Sequence, residues 1–127
     1  MEPNKVIVDT HALFWFILAD KRLSKKAKEI LEYTQEIIIP TIVLLELFSL
    51  IKKKKMLDEF PEIVRRIISD QRIRVVSLNF DTLGTVINDN LDLESHDASI
   101  VATSRLLNVP LVTKDRKIRE IYKNTIW

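Results

Sequence analysis

The chain has 127 residues, of which 46% are hydrophobic and 30% are charged, with 20 Lys and Arg against 18 Asp and Glu. This length and composition exclude a disordered chain and predict a single globular domain over residues 1–127. The absence of cysteine excludes a disulfide framework, a thiolate zinc site, an iron–sulfur cluster and a cysteine nucleophile. The single glycine, Gly84, excludes a Walker A loop and a dinucleotide-binding fingerprint, which both need several glycines at fixed offsets.

The hydropathy pattern predicts a cytoplasmic protein without a membrane span. The longest apolar run, Ile37 to Ile51, is interrupted by Pro40 and Glu46, and it is shorter than the roughly 20 residues that a transmembrane helix needs. The apolar stretch near the start contains Asp9 and His11, and no small-residue cleavage site follows it. It therefore does not resemble a secretory signal.

Strands and helices are predicted to alternate along the first half of the chain, from the spacing of apolar residues and from capping signals. The predicted elements are a strand at 5–8, a helix at 11–19, a helix to Glu36 capped by Ser24, a strand at 37–39 stopped at Pro40, a helix at 42–53 capped by Thr41, and a helix that starts near Pro61 with an apolar stripe of Phe60, Ile63, Val64, Ile67 and Ile68.

The same alternation continues in the second half. The predicted elements are a strand at 72–78, a helix at 80–90, a helix from Ser95 or His96 to Leu107, a strand at 111–113, a helix at 116–122 and a fifth strand at 125–127. This order predicts an α/β fold with three layers, α/β/α, around a mainly parallel sheet of four to five strands. In such sheets ligands bind outside the carboxyl ends of the strands.

Three aspartates are predicted to reach that edge of the sheet. Asp9 ends the first strand and Asp115 follows the fourth, although either could simply be a helix N-cap. The helix from Asp97 to Asn108 descends about 16 Å, and the following strand climbs back a similar distance. Asp97 and Asp115 should therefore lie at the same edge of the sheet. Alternatively, Asp97 could be present only because a negative charge interacts favourably with the helix dipole at the first turn.

Glu46 lies in a helix that is apolar on almost every side, and no residue three or four positions away could neutralise it. A carboxylate in such surroundings costs several kcal/mol unless it is paired or binds a metal. Two interpretations are open, a salt bridge to a distant Arg or Lys and a metal-linked carboxylate. Together with Asp9, Asp97 and Asp115, Glu46 describes an oxygen-ligand site, which suits Mg²⁺ or Mn²⁺ better than zinc.

Four segments carry a resemblance to a known family: Val-Asp-Thr-His-Ala-Leu at 8–13, Leu-Glu-Leu at 45–47, His-Asp-Ala-Ser-Ile-Val-Ala at 96–102 and Leu-Val-Thr-Lys-Asp at 111–115. Over essentially its whole length the chain resembles the PIN domain and, more narrowly, the VapC toxins of toxin–antitoxin pairs. The segment 93–96 departs from the Pro-Phe type common in many relatives, which makes the substrate-facing loop unfamiliar.

The resemblance implies an endoribonuclease that depends on Mg²⁺ or Mn²⁺, forms a homodimer and is inhibited by a small VapB-type antitoxin. It carries the acidic quartet over to Asp9, Glu46, Asp97 and Asp115 as metal-binding and catalytic residues. It also carries the family's hydroxyl residue over to Thr113, which would hold a carboxylate or a bound water.

The remaining candidates have two interpretations each. His11 could be a structural residue at the start of a helix or could approach the substrate, whereas His96 could be a cap or surface residue or could make a pH-sensitive contact. Lys52 to Lys55 could interact favourably with the helix dipole or could contact RNA or the antitoxin. The apolar residues 13–16 and 18 predict core packing, with a dimer seam or antitoxin groove as the alternative. Two other functions are open. One is a receiver-like signalling domain, which requires an acidic pair after the first strand, where this chain has Asp9 followed by Thr10 and His11. The other is a catalytically silent PIN-fold binding module.

Overall fold

The computed structural model describes residues 3–127 and contains five strands and seven helices in that range. The elements are β1 (Lys5–Val8), α1 (Thr10–Ile17), α2 (Lys25–Tyr33), β2 (Glu36–Pro40), α3 (Thr41–Lys53), α4 (Phe60–Ser69), β3 (Ile73–Val76), α5 (Phe80–Asn88), α6 (Ser95–Leu107), β4 (Leu111–Val112), α7 (Arg116–Ile121) and β5 (Thr125–Ile126). A short 3₁₀ turn, Leu57–Glu59, precedes α4.

The five strands form one parallel sheet in the order β3-β2-β1-β4-β5, covered by helices on both faces. The three inner strands are β2, β1 and β4, and their apolar residues are almost completely buried because helices cover both sides. The predicted three-layer α/β/α fold is therefore confirmed. The alternative of a receiver-like domain is wrong, because doubly wound sheets of that type have the strand order 2-1-3-4-5, whereas this sheet has the order 3-2-1-4-5.

The chain builds the sheet in two directions from β1. It first adds β2 and β3 on one side, and then returns to add β4 and β5 on the other side. The neighbours β1 and β4 therefore flank the point where the strand order reverses, which is the place where open α/β sheets form a crevice for ligands. Asp9 follows β1 and Asp115 follows β4, so both lie at this crevice.

Two predicted boundaries near β2 are wrong, and sheet pairing explains both. The helix that was expected to reach Glu36 ends at Tyr33, because Glu36 pairs with Lys5 in the sheet. Thr41 does not cap α3 but is its first residue. Pro40 still pairs with Val76, so the helix starts directly after the strand without a side-chain cap.

Other differences reflect exposure at the edges of the fold. The strand predicted at 72–78 is only Ile73–Val76, and the helices predicted at 11–19, 80–90 and 116–122 end at Ile17, Asn88 and Ile121. In the apolar stripe of α4 only Ile63 is fully buried, and Ile68 is 77% exposed.

The apolar segment near the start of the chain lies in the core, as predicted. Residues 13–15 are buried and residues 16 and 18 pack partly against the core, so the core interpretation of this segment is confirmed. Within residues 3–127, none of the helices is long and apolar enough to cross a membrane.

Candidate metal centre

The four predicted acidic residues line one open cleft of about 850 Å³ at the crevice between β1 and β4. We call it the acid cleft and define it by Asp9, Glu46, Asp97 and Asp115. Asp9 and Asp115 follow strands of the sheet, whereas Glu46 and Asp97 lie on α3 and α6, two helices that pack against each other. Residues far apart in sequence are thus brought together by the order of the strands and by one helix contact.

Asp9 is held by the protein through both of its carboxylate oxygens. Its Oδ1 accepts a hydrogen bond of 3.0 Å from the backbone N–H of Ala12, so Asp9 is the N-cap of α1. Its Oδ2 accepts a hydrogen bond from the hydroxyl of Thr113. The Thr113 side chain is completely buried, and its Oγ1 accepts a 3.1 Å hydrogen bond from the backbone N–H of Asp115. Thr113 therefore couples the residues that follow β1 and β4.

Asp115 also has a capping role, because its Oδ1 accepts a 2.9 Å hydrogen bond from the backbone N–H of Ile118 in α7. The N-cap interpretation of Asp9 and Asp115 is therefore confirmed. It does not compete with a role in the cleft, because a carboxylate has four lone-pair sites and the caps use only one oxygen each. Capping orients both side chains toward the crevice.

Glu46 contacts residues on two other elements. Its Oε1 accepts a 2.9 Å hydrogen bond from the hydroxyl of Thr10, and its Oε2 lies 3.3 Å from Nδ1 of His96. The predicted salt bridge to a distant Arg or Lys is wrong. The apolar surroundings were also overestimated, because Leu45 is 61% exposed and lines the open cleft together with Glu46 and Ser49.

Asp97 differs from the other acids, because no hydrogen bond to its side chain is present within residues 3–127. Partial burial raises the pKa of Asp97 above its ordinary value, and the negative charges of Asp115, Glu46 and Glu94 raise it further, while His96 opposes them. Burial likewise raises the pKa of Asp9 to about 6, although its hydrogen bonds from Thr113 and Ala12 act in the opposite direction.

The donor set of the acid cleft fits a hard divalent cation. All four acids offer oxygen atoms, and in the described part of the chain none of them is paired with an Arg or Lys. Among the same residues, no three carboxylates or imidazoles are close enough to hold an ion as they stand. The fit therefore lies in the oxygen chemistry of the donors and not in a preformed geometry, and Mg²⁺ commonly keeps several waters and binds through only one or two carboxylates.

Several side chains that line the cleft were not predicted from the sequence, or had been given two interpretations. Thr10 and Lys114 were not predicted as site residues, and the only available signal was their position next to Asp9 and Asp115. His11 and His96 both line the cleft, and His96 is not a cap, since Glu94 holds that position. Of the lysines 52–55, Lys53 reaches the cleft lining.

The profile of the PIN domain family matches residues 6–124, and the chain therefore belongs to the PIN domain family. Comparison with curated proteins gives no match. Solved structures of similar fold include a toxin–antitoxin complex from Klebsiella pneumoniae, which is 20% identical with a TM-score of 0.72 over 96% of each chain.

Two further structures have a similar fold. VapBC2 from Rickettsia felis, bound to a DNA fragment from its promoter, is 19% identical with a TM-score of 0.70 over 96% of each chain. VapC20 from Mycobacterium tuberculosis, a toxin that cleaves the sarcin–ricin loop, is 18% identical with a TM-score of 0.69, over 91% of this chain and 94% of that one.

Proposed function

We propose that this protein is an endoribonuclease that depends on Mg²⁺ or Mn²⁺, hydrolyses RNA phosphodiester bonds in the acid cleft, and acts as the toxin of a VapBC-type pair. One observation carries the proposal: four carboxylates from four elements share one cleft without an Arg or Lys partner in the described residues. Burial and the negative charges that share this cleft disfavour ionisation and raise the pKa values of Asp97 and Asp9. A bound divalent cation is the simplest group that would stabilise all of them.

Each acidic residue has a proposed role. Asp9, Asp97 and Asp115 would hold the cation, and Glu46 would either bind it or position the attacking water. Thr113 would fix the position of the Asp9 carboxylate relative to the Asp115 backbone through its two hydrogen bonds. When bound, the cation supplies a water of lowered pKa and offsets negative charge on the phosphate and the leaving oxygen.

The toxin role and the antitoxin partner are supported by the solved relatives. One of them is described as a toxin–antitoxin complex, another as VapBC2 bound to a DNA fragment from its promoter, and a third as a toxin that cleaves the sarcin–ricin loop. We propose a small VapB-type protein as the partner of this chain and a cytoplasmic location for the pair. Which RNA is cut does not follow from the site, since RNA loops are recognised by shape and unpaired bases.

We also propose that the protein is a homodimer, and α5 offers a surface for a second copy. Phe80 is 89% exposed, Ile87 is 75% exposed and Leu83 is 42% exposed on this helix. Exposed apolar patches of this kind mark interaction sites. Light scattering should give a dimeric mass for the wild type and a monomeric mass for a Phe80→Ser/Ile87→Ser variant. A monomeric wild type would contradict this assignment.

The ribonuclease assignment is tested with purified protein, structured RNA and Mn²⁺. We expect discrete fragments whose ends can be mapped, loss of cleavage with EDTA, and recovery when Mn²⁺ is added back. Glu46→Gln and Asp97→Asn should abolish cleavage while thermal unfolding stays cooperative. Arg65→Gln is a matched control, because Arg65 is exposed on α4 and pairs only with Glu62.

The outcomes separate the proposal from a catalytically silent PIN module. Full activity in Glu46→Gln or Asp97→Asn would show that the acid cleft is not the active site. Calorimetry that detects no Mn²⁺ binding, together with no cleavage, would favour the binding module instead.

A further inference from the structure

A second concave surface lies beside the acid cleft and carries the opposite charge. This basic groove has a volume of about 690 Å³ and is formed by α7 and the residues around β5. It is lined by Lys114, Arg116, Arg119, Lys123, Glu120, Thr125 and Trp127. Four of these seven residues are cationic and only Glu120 is acidic, so the groove concentrates positive charge on one side of the molecule.

The arginines of the groove have no carboxylate partner among residues 3–127. Six of the eight arginines pair with a carboxylate within residues 3–127, at positions 22, 65, 66, 72, 74 and 105. The two that do not are Arg116 and Arg119, and both are exposed. The six other arginines form ion pairs with carboxylates, whereas the planar guanidinium groups of Arg116 and Arg119 are available to bind phosphate oxygens.

The groove is continuous with the acid cleft. Lys114 lines both, and its ammonium lies 5.9 Å from the ring centre of Trp15, which lines the cleft as well. The backbone N–H of Thr113 donates to the carbonyl of Ile126, so β4 and β5 end side by side at the same edge of the sheet. Trp127 follows directly, with its ring 6.0 Å from that of Trp15.

The cations and the tryptophan of the basic groove together indicate which class of ligand it binds. Cationic side chains that follow a groove, together with a partly exposed tryptophan, bind single-stranded nucleic acid, because phosphates contact the cations and a base stacks on the ring. An acidic protein segment would use the cations equally well, but it would not need the indole ring. The position next to the acid cleft also favours a strand that passes from one surface to the other.

We infer that the basic groove holds the single-stranded RNA flank on one side of the bond that is cut. Arg116 and Arg119 bind its phosphates and Trp127 stacks against one of its bases. Lys114 lies where the strand leaves the acid cleft. This inference rests on the proposed ribonuclease function, since it describes how that substrate would be held.

The test measures RNA binding without cleavage. Fluorescence anisotropy with a short labelled single-stranded oligoribonucleotide, in buffer that contains EDTA, is compared for the wild type and Arg116→Gln/Arg119→Gln. We expect the Kd to rise about tenfold, and the slope of log K against log salt to fall by about 1.4, or 0.7 for each lost phosphate contact.

A matched control removes the same charge elsewhere. Lys25→Gln/Lys26→Gln alters two exposed residues of α2 that line neither the acid cleft nor the groove, and it should leave the Kd within about twofold and the slope unchanged. Glu120→Gln should have the opposite effect and tighten binding, because it removes the one acid of the groove.

The stacking role of Trp127 is tested separately. Trp127→Ala should raise the Kd about fivefold to tenfold, which corresponds to one lost stacking contact, without changing the salt slope. Trp127→Phe keeps an aromatic face and should retain most of the affinity. Loss of affinity in both variants with a changed melting temperature would indicate a structural role of Trp127 and would overturn the stacking assignment.

The outcomes distinguish this inference from the proposed function. Arginine variants with wild-type Kd and salt slope, or a wild type that binds no RNA, would overturn the inference even if cleavage with Mn²⁺ is normal. Conversely, loss of RNA binding in the arginine variants supports the groove even if the wild type cuts no RNA, and only the proposed activity then fails. Unchanged RNA binding with lost binding of an acidic protein would assign the groove to a protein partner instead.

Discussion

The acid cleft has two halves that are built differently. In the strand half, Asp9 and Asp115 are N-caps, and the buried hydroxyl of Thr113 links Asp9 to the Asp115 backbone. In the helix half, Glu46 is held by Thr10 and approached by an exposed His96, while Asp97 receives no hydrogen bond from residues 3–127. The strand half is organised by hydrogen bonds within the protein, whereas in the helix half Asp97 faces the negative charges of Asp115, Glu46 and Glu94.

Under the proposed function, this difference would allow a cation to complete the site without a preformed cage. The parallel strands place two carboxylates rigidly at the point where the strand order reverses. The helices add the carboxylates of Glu46 and Asp97, and under the proposed function a bound ion would relieve the repulsion that, in addition to burial, raises the pKa of Asp97. Four variants or conditions test this division, from the largest expected effect to the smallest.

The largest effect is expected for Asp97→Asn, which removes charge from the helix half without removing a hydrogen bond found in the structure. Cleavage with Mn²⁺ should fall by more than about a hundredfold, since even outer-shell partners of metal ligands are commonly worth 10–100-fold. The metal-free variant should melt at the wild-type temperature or above it, because repulsion from Asp115, Glu46 and Glu94 is relieved. A clearly lower melting temperature would contradict this view of Asp97.

Thr113→Val should reduce cleavage by about 10–100-fold and also destabilise the protein. Valine has a similar shape, but it leaves the backbone N–H of Asp115 without its partner, which costs about 1–3 kcal/mol when such a group is buried. Denaturant unfolding and initial cleavage rates measure the two effects. Thr113→Ser keeps the hydroxyl and should retain most of the activity, so equal losses in both variants would show that packing, and not the hydrogen bond, matters.

Thr10→Val tests the corresponding hydrogen bond in the helix half and should have a smaller effect, about tenfold or less in cleavage rate. Glu46 retains its contact with His96 and can move in the open cleft, so the loss of one donor is partly compensated. A kinetic comparison with Thr10→Ser isolates the hydroxyl. If Thr10→Val proved more damaging than Thr113→Val, the proposed rigidity of the two halves would have to be reversed.

The smallest effect concerns pH. With a pKa of about 6, Asp9 is ionised at pH 7.5 but largely protonated at pH 5.5. Because a metal binds the ionised form, Mn²⁺ affinity measured by calorimetry should fall about fourfold over this range from Asp9 alone, with proton release on binding.

The stability of the metal-free protein should change in the opposite direction. A carboxyl group whose pKa is raised by folding stabilises the folded state at low pH and loses that contribution as pH rises through about 6. The free energy of unfolding should therefore increase by about 1 kcal/mol between pH 7 and pH 5 relative to Asp9→Asn, which cannot titrate. An equal pH dependence in the variant would show that other groups are responsible.

Much of the architecture was already present in the local sequence. The short apolar segments at 37–39 and 111–112 predicted strands that are buried on both faces, and Ser24 was correctly predicted to cap α2. The α/β alternation, the three layers and the convergence of the four acids on one cleft follow from such patterns. Element ends were less accurate where pairing decides them, as at Glu36, which pairing with Lys5 draws into the sheet.

The sequence by itself limited which residue types could form a site: the lack of cysteine excluded thiolate chemistry, and the single glycine excluded a glycine-rich phosphate loop. It could not reveal that Thr10 meets Glu46 across 36 positions, or that Thr113 joins Asp9 across 104. Nor could it place the ring of Trp127 beside that of Trp15, next to two arginines that have no carboxylate partner in the described part of the chain. These pairings depend on strand order and helix packing, which bring together side chains that no local spacing relates.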